Sequence, residues 1–251
     1  GPAGLEAARV AAERGHSVTL YEKKGSVGGL LEFANNVKGP HENLSVLRSY
    51  FERQMEVLGV NVMLNTEATA DIIAEASPDI VIAATGGVRD TLGLSDTAGT
   101  KVVGIDDFMM ADIAEEVVIV GSNVQAIDAA MYLLAQGKHV QVVTPNAASA
   151  IGAGHSFWVK TFTQPNMKAL GVRFWPEATV TAVNDGSVTV KTATGIEQEI
   201  ACGTVVEALD CLPNDNLSTG LSCEVVTVGD AARPFNIGEA ICSGNAAARA
   251  I

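Results

Sequence analysis

The residues best suited to chemistry in this sequence are glycines that can bind phosphate through the backbone. The chain opens with GPAG, so Gly1 and Gly4 occupy the second and third glycine positions of a G-x-G-x-x-G fingerprint. Without a side chain, Gly1 lets a pyrophosphate approach the first turn of a helix, where amide groups favour an anion. Glu22 stands at the end of the next strand, where an acidic residue accepts hydrogen bonds from a ribose diol. The pattern predicts a dinucleotide site.

Three later stretches are predicted to touch the same ligand through exposed backbone or a strand-end carboxylate. The first is a glycine-rich loop that can wrap a flavin's pyrophosphate or ribityl chain. The second follows the buried strand in PDIVIAATGG, and the third is a Gly-Asp-Ala strand end whose aspartate can accept hydrogen bonds from a polyol. From the residues alone, each stretch has a structural alternative. The glycine-rich loop could be a plain turn, PDIVIAATGG could end in a strand-ending turn, and the aspartate of Gly-Asp-Ala could be a helix cap. The predicted contacts are Gly28, Gly29, Thr85, Gly86, Gly229 and Asp230.

A second glycine fingerprint at 121–126 departs from the pattern. Gly121 ends a buried strand and Ala126 is permitted at the third position, but Asn123 replaces the glycine that admits the pyrophosphate. Thr144 stands where an acidic residue would read the ribose. The predicted NAD(P)H site therefore has a strong fold signal and a damaged binding signal. Its candidate residues are Gly121, Ser122, Asn123 and Ala126.

Strand–helix–strand units must position these turns. In the second unit, Val117 to Val120 form an apolar run typical of a strand buried on both faces, an apolar helix follows, and Gly137 ends it. Residues 1–24 align with this unit without a gap but lack its leading strand. We therefore expect the sequence to be a piece of a longer polypeptide, beginning inside its first fingerprint.

Two fingerprints predict two domains, the second inserted in the first. We place an FAD-binding (or ADP-binding) domain at 1–112 with 204–251, and an NAD(P)H-binding domain at 113–203. Residues 89–114 are predicted as a connector. Thr204 to Leu209 are predicted as a strand that returns to the first domain.

Three further elements are predicted from periodicity and turn residues. Residues 42–58 have the apolar spacing of an amphipathic helix. Val172–Trp175, 179–183 and 187–192 are predicted strands of an antiparallel ribbon closing the second domain. Gly244 to Ile251 are predicted as a small-residue helix that follows the Gly-Asp-Ala strand end.

Composition narrows the class of protein. At 47% hydrophobic residues the chain can bury a substantial core, and its net charge of −13 argues against nucleic-acid or anionic-membrane partners. No apolar run reaches membrane-spanning length, and no secretory signal is evident. The four cysteines are too widely spaced for a metal site or a C-x-x-C pair, so we expect no metal ligands and a reducing, cytoplasmic setting. His41 and His155 are predicted to be surface groups.

Together these pieces resemble the C-terminal portion of the NADH:flavin oxidoreductase / 2,4-dienoyl-CoA reductase / trimethylamine dehydrogenase family. The resemblance rests on GPAGLEAARVAAERGHSVTLYEK, ASPDIVIAATGG, EVVIVGSNVQAIDAA and VGDAARPFNIGEAICSGNAAARAI. It implies an α/β fold of two Rossmann-like dinucleotide-binding domains, similar to that of glutathione and thioredoxin reductases. It also implies FAD, or ADP in some members, at the first site and NAD(P)H at the second.

In that family an N-terminal barrel with FMN and the substrate site, then a four-iron–four-sulfur (4Fe-4S) cluster, precede this portion. The resemblance therefore implies an electron-input module: a hydride from NAD(P)H reaches FAD, and electrons continue to the cluster and the FMN in the barrel domain of the same polypeptide. The cofactors supply the chemistry, so we name no catalytic side chain. The terminal substrate would bind in the barrel domain, NADH or NADPH would be the hydride donor, and a homo-oligomer is compatible with the resemblance.

Two other functions are alternatives to the electron-input module. The fold could hold ADP or FAD without turnover, with a degenerate second site, because Asn123 and Thr144 depart from the fingerprint. A disulfide reductase of the thioredoxin reductase kind would need a close cysteine pair near the flavin, and the sequence contains no such pair.

Overall fold

The computed structural model describes residues 1–39, 42–214, 216–217 and 221–251, apart from the side chain of Trp158. His41 lies outside the described residues. Among these residues, no helix has both the length and the apolar character needed to cross a membrane.

The helices and strands follow one another along the chain. The helices are Pro2–Glu13 (α1), Leu30–Lys38 (α2), Leu44–Val57 (α3), Ala70–Ala76 (α4), Val124–Ala135 (α5), Phe157–Ala169 (α6) and Ile237–Ala250 (α7). The strands are Thr19–Tyr21 (β1), Asn61–Met63 (β2), Ile80–Ala83 (β3), Val88–Arg89 (β4), Lys101–Gly104 (β5), Glu116–Val120 (β6), His139–Val143 (β7), Arg173–Trp175 (β8), Ala178–Asn184 (β9), Ser187–Thr192 (β10), Glu197–Ala201 (β11), Thr204–Glu207 (β12), Cys211–Leu212 (β13) and Glu224–Thr227 (β14).

The chain divides into two compact units. The first unit comprises Gly1–Arg89 and Cys211–Ile251, and the second comprises Asp90–Asp210. One continuous stretch is thus inserted in the other unit, as the sequence predicts. The junctions lie near residues 89 and 210, whereas the sequence analysis placed them near 112 and 203.

The strand β12 explains the different junctions. It pairs in parallel with both β5 and β6, with Val205 opposite Val102 and Val118. The prediction that 204–209 returns to the first domain is therefore wrong, and the predicted connector contains β5. A strand buried on both faces has the same apolar pattern in either sheet, so sequence alone does not reveal which sheet it joins.

The second unit contains two sheets. Five parallel strands lie in the order β5-β12-β6-β7-β8, and three antiparallel strands lie in the order β11-β10-β9. The predicted ribbon is confirmed for β9 and β10, but Arg173–Trp175 pairs in parallel with β7 and belongs to the larger sheet. Buried valines such as Val118, Val188 and Val205, all at 0% exposure, form the core shared by the two sheets.

The first unit is built around α1. The strand pairs β1–β2 and β3–β14 are parallel, and β4–β13 is antiparallel. Leu5 of α1, Leu31 of α2, and Phe51 and Met55 of α3 form its main buried cluster. The predicted amphipathic helix at 42–58 is confirmed as α3, with Phe51 and Met55 on its buried face.

The helix α7 is longer than predicted. It begins at Ile237 rather than at Gly244, because the Asn236 side chain accepts a hydrogen bond from Glu239 N (2.9 Å) and caps the first turn. The two glycines inside α7 have low helix propensity, which hides its first turns in the sequence.

Candidate functional site

The starts of two helices meet in the first unit. Gly1 is the residue before α1, and Gly29, with φ +56°, is the residue before α2. A Cβ atom placed on Gly29 would lie 2.9 Å from Gly1 Cα, so the two backbones are in direct contact. Since each helix start carries amide groups and a partial positive charge, their meeting creates a place suited to an anion.

Glu22 lies beside this point. It follows β1, and its backbone N–H donates to Met63 O (2.9 Å). Its carboxylate accepts a hydrogen bond from Lys24 N (3.0 Å) and lies 3.8 Å from Gly1 N. The structure thus brings the predicted ribose-reading acid next to the predicted phosphate turn.

The ends of β3 and β14 reach the same end of α1. A Cβ atom on Gly4 would lie 3.1 Å from Ala84 Cβ, so α1 packs closely on the residue after β3. A Cβ atom on Gly229, where φ is +62°, would lie 2.7 Å from Ala3 Cβ. Both strand ends, and with them Thr85 and Asp230, are therefore held near the start of α1.

The residues that follow the two strands are Thr85 and Gly86 after β3 and Asp230 after β14. The Thr85 hydroxyl donates to Asn214 O (3.4 Å), and Gly86 has φ +78°. Asp230 Oδ1 accepts a hydrogen bond from Phe235 N (3.3 Å). Because Asn236 caps α7, the helix-cap alternative for Asp230 does not hold.

A buried carboxylate clamps α1 to α7. Glu6, 6% exposed, accepts two hydrogen bonds from Arg9 (2.7 and 2.8 Å) and one from Asn245 (2.7 Å). Burial alone would raise the pKa of Glu6, but the bonds from Arg9 and Asn245 outweigh burial and lower that pKa. Sequence reasoning missed this clamp because Asn245 follows Glu6 by 239 positions.

Replacing Glu6 with glutamine should lower the free energy of unfolding by about 2 kcal/mol at neutral pH, since Arg9 and Asn245 lose a charged partner. Because the pKa of Glu6 is lowered on folding, its contribution is complete above the ordinary pKa of a glutamate and is lost as pH falls through the lowered value. Urea unfolding across acidic and neutral pH measures both effects.

Glu13→Gln is the matched control for the Glu6 variant. Glu13 pairs with the same arginine at 2.7 Å, but its side chain is 48% exposed. Its loss should cost less than about 0.5 kcal/mol. Equal losses for the two variants would show that the clamp has no special role.

The glycine turn of the second unit, at 121–126, is packed tightly against neighbouring backbone and side chains. Gly121 has φ +143°, and a Cβ atom there would lie 2.0 Å from Ala208 O, so only glycine fits beside the end of β12. Ser122, 4% exposed, accepts a hydrogen bond from Asn146 Nδ2 through its hydroxyl (3.0 Å). Ala126, at 0% exposure, lets α5 lie directly on the sheet.

Both the oxygen and the nitrogen of the Asn123 side-chain amide form hydrogen bonds within the second unit. Its Oδ1 accepts from Ala126 N (2.9 Å) and caps α5. Its Nδ2 lies 3.1 Å from Ala208 O and from Leu209 O, and 3.0 Å from Asp210 Oδ1. The two hydrogens on Nδ2 are shared among these three acceptors, and the contacts tie the turn to the segment that follows β12. The side chain also occupies the space that a glycine would leave open.

Thr144, at the predicted ribose-reading position, is fully buried. Its hydroxyl accepts a hydrogen bond from Asn146 N (3.1 Å), so the side chain serves the local turn. The backbone of the following loop returns to the glycine turn, where Gly152 N donates to Ser122 O (2.6 Å) and Ala153 bridges to Asn123.

The prediction that His155 is a surface group is wrong. Its side chain is 9% exposed, and its Nε2 lies 3.7 Å from Asp128 Oδ1 on α5. The loop that precedes it packs against the glycine turn and carries His155 inward, which a lone histidine between small residues does not indicate in sequence.

Two glycine turns of the dinucleotide-binding kind, one in each unit, define a two-domain nucleotide-binding flavoprotein fold. The chain belongs to the pyridine nucleotide-disulphide oxidoreductase family, whose model matches residues 1–230. This is a family of flavin-dependent oxidoreductases. The four cysteines all lie in the described part of the chain and none forms a disulfide. Burial raises the pKa of Cys202 to about 11.

Similar proteins confirm the resemblance found in the sequence. The chain is 37% identical over 145 residues to cinnamate reductase of Clostridium sporogenes, covering 57% of this chain and 21% of that protein. It is 37% identical over 149 residues to NADH oxidase of Thermoanaerobacter brockii, covering 57% of this chain and 23% of that protein. A solved 2-naphthoyl-CoA reductase matches 98% of this chain at 31% identity with a TM-score of 0.83, and the match spans 38% of that reductase. The chain therefore spans well under half the length of these proteins.

Proposed function

We propose that this chain is the electron-input portion of a flavin oxidoreductase, with FAD (or ADP) held in the first unit and NAD(P)H received by the second. The observation that supports it most is the contact between Gly1 and Gly29, where a Cβ atom would fall 2.9 Å from the neighbouring backbone. Because neither glycine has a side chain, none stands between the start of α1 and an approaching diphosphate.

Each predicted residue of the first unit then has a role. Gly1 and Gly29 allow backbone to lie against the pyrophosphate, while Gly4 lets α1 pack on the strand end and Gly28 gives the loop its turn. Glu22 accepts hydrogen bonds from the adenosine ribose. Thr85, Gly86, Gly229 and Asp230 lie along the flavin's ribityl chain, with Asp230 accepting hydrogen bonds from its hydroxyls. When bound, FAD supplies an acceptor for a hydride whose electrons can leave singly.

The onward route lies outside this chain. We propose that electrons continue to a 4Fe-4S cluster and FMN in an N-terminal barrel domain of the same polypeptide. The share of the relatives' length that this chain leaves unmatched supports this arrangement. In the second unit, Gly121, Ser122, Asn123 and Ala126 form the turn proposed to receive NAD(P)H.

Anaerobic mixing of the purified protein with NADH or NADPH tests this function. We expect one of these two nucleotides to bleach the FAD absorbance. Bound FAD that neither nucleotide reduces, while dithionite reduces it fully, would contradict the electron-input role.

The contacts of Asn123 favour a second candidate: a module that holds ADP or FAD without accepting NAD(P)H. Its amide fills the position where the pyrophosphate would approach, and Asp210 places a carboxylate 3.0 Å from that amide. A negative charge there opposes a phosphate. Mass spectrometry of the nucleotide released on denaturation separates the two candidates, since ADP alone would favour the module without turnover.

Asn123→Gly tests whether this side chain closes the second turn. Loss of the cap and of the ties to β12 should cost about 1–2 kcal/mol of stability. If the amide blocks the site, the affinity for NADH or NADPH should rise about tenfold, measured by titration calorimetry.

Ser156→Gly is the matched control, because Ser156 Oγ caps α6 in the same unit by accepting from Val159 N (3.4 Å). It should lower stability without changing nucleotide affinity. An Asn123→Gly variant that stays folded and binds NAD(P)H no better would remove the basis of the second candidate.

A further inference from the structure

Arg48 of α3 lies against the glycine turn of the first unit. A Cβ atom on Gly28 would meet its side chain at Cδ (3.3 Å), Cγ (3.5 Å) and Nε (3.7 Å). The next residue, Gly29, faces Gly1 Cα in the same manner at 2.9 Å. Successive Cα atoms are about 3.8 Å apart, so the turn separates Arg48 from the start of α1 by one layer of backbone.

Two carboxylates hold the Arg48 guanidinium in place. Its Nε donates to Glu52 Oε1 (3.0 Å), one turn along α3, and its Nη1 lies 3.7 Å from Glu32 Oε2 in the first turn of α2. The side chain is 28% exposed. The cation is thus fixed in direction and partly exposed to solvent.

We infer that Arg48 is a positioning residue for a nucleotide diphosphate, both by packing its stem on Gly28 and by offsetting the charge of the Glu32 and Glu52 carboxylates, which would otherwise repel a diphosphate at the turn. The inference rests on the proposed function of the first unit. Helix starts contribute only about half a charge each, and a diphosphate brings roughly two negative charges into a chain of net charge −13. A guanidinium suits this task because its planar donors can pair with two carboxylates at once.

The test compares ADP with adenosine on protein freed of bound nucleotide. Arg48→Gln should weaken ADP binding about tenfold while changing adenosine binding less than about twofold, because adenosine has no phosphate. Arg48→Lys keeps the charge without the planar donors and should lose about threefold for ADP only. A purely structural role would weaken both ligands together.

Arg53→Gln is the matched control, since Arg53 lies on the same helix, is 70% exposed and pairs with Glu56 at 2.9 Å. Its ADP-to-adenosine ratio should match the wild type. An unchanged ratio in a folded Arg48→Gln would overturn the inference and leave the proposed function intact. If Arg48→Gln does not fold, Arg48→Lys decides by the same ratio. A wild-type protein that binds neither ADP nor FAD would overturn both.

Discussion

Replacing Gly244 with alanine is expected to destabilise the first unit by about 3 kcal/mol. A Cβ atom at this position would lie 2.1 Å from the carbonyl oxygen of Ala3 and 3.0 Å from its carbonyl carbon. Backbone cannot yield as a side chain can, so α7 and α1 must separate. Urea unfolding followed by circular dichroism would measure the loss, and any bound FAD should be released at lower denaturant.

Gly238→Ala is the control in the same helix. Its Cβ would meet only Asn236 Oδ1, at 3.4 Å, which is an ordinary contact. Since alanine is the better helix former, this variant should be neutral or more stable by less than about 1 kcal/mol. Comparable stability of the two variants would mean that α1 and α7 do not pack as closely as the structure shows.

Replacing Gly29 with alanine should reduce FAD affinity about a hundredfold, equivalent to ~2.7 kcal/mol. Two effects combine: the backbone at φ +56° and ψ −124° disfavours a side chain, and the new Cβ would press on Gly1 Cα at 2.9 Å. The turn must then move away from the start of α1. Flavin fluorescence during titration of the apoprotein gives the affinity.

Gly59→Ala separates backbone strain from contact. Gly59 also has positive φ, at +67°, but no heavy atom lies within 4 Å of its added Cβ. Its variant should lose about 1 kcal/mol of stability and keep its FAD affinity. If the Gly29 variant binds FAD as the Gly59 variant does, the two helix starts do not form the phosphate site.

The sequence was most informative where one local pattern determines one element. The run Val117 to Val120, the turn at Gly121 and the apolar face of α5 predicted a strand–helix–strand unit, and the structure has β6, α5 and β7 there. The turn at Gly29 could be named as a ligand loop because two adjacent glycines follow a strand-end acid. Its contact with Gly1 depends on the packing of α2 and is visible only in the fold.

Long-range partners account for what the sequence did not reveal. The apolar residues of β12 suit either sheet, and only the pairing with β5 and β6 assigns the strand to the second unit. Asn123 departed from the fingerprint in sequence, but its role as a tie depends on acceptors about 85 residues later. Nothing in the sequence distinguishes Arg48 from other arginines on an amphipathic helix, because its contact with Gly28 exists only in the fold.

The proposed function places a nucleotide diphosphate where α1 and α2 begin. The most direct test is an experimental structure of the purified protein with its nucleotide, refined well enough to locate both phosphorus atoms. We expect the diphosphate against the first turn of α1 beside Gly29, with the adenosine ribose at Glu22. A bound FAD or ADP whose diphosphate lies elsewhere, with the start of α1 facing solvent, would contradict it.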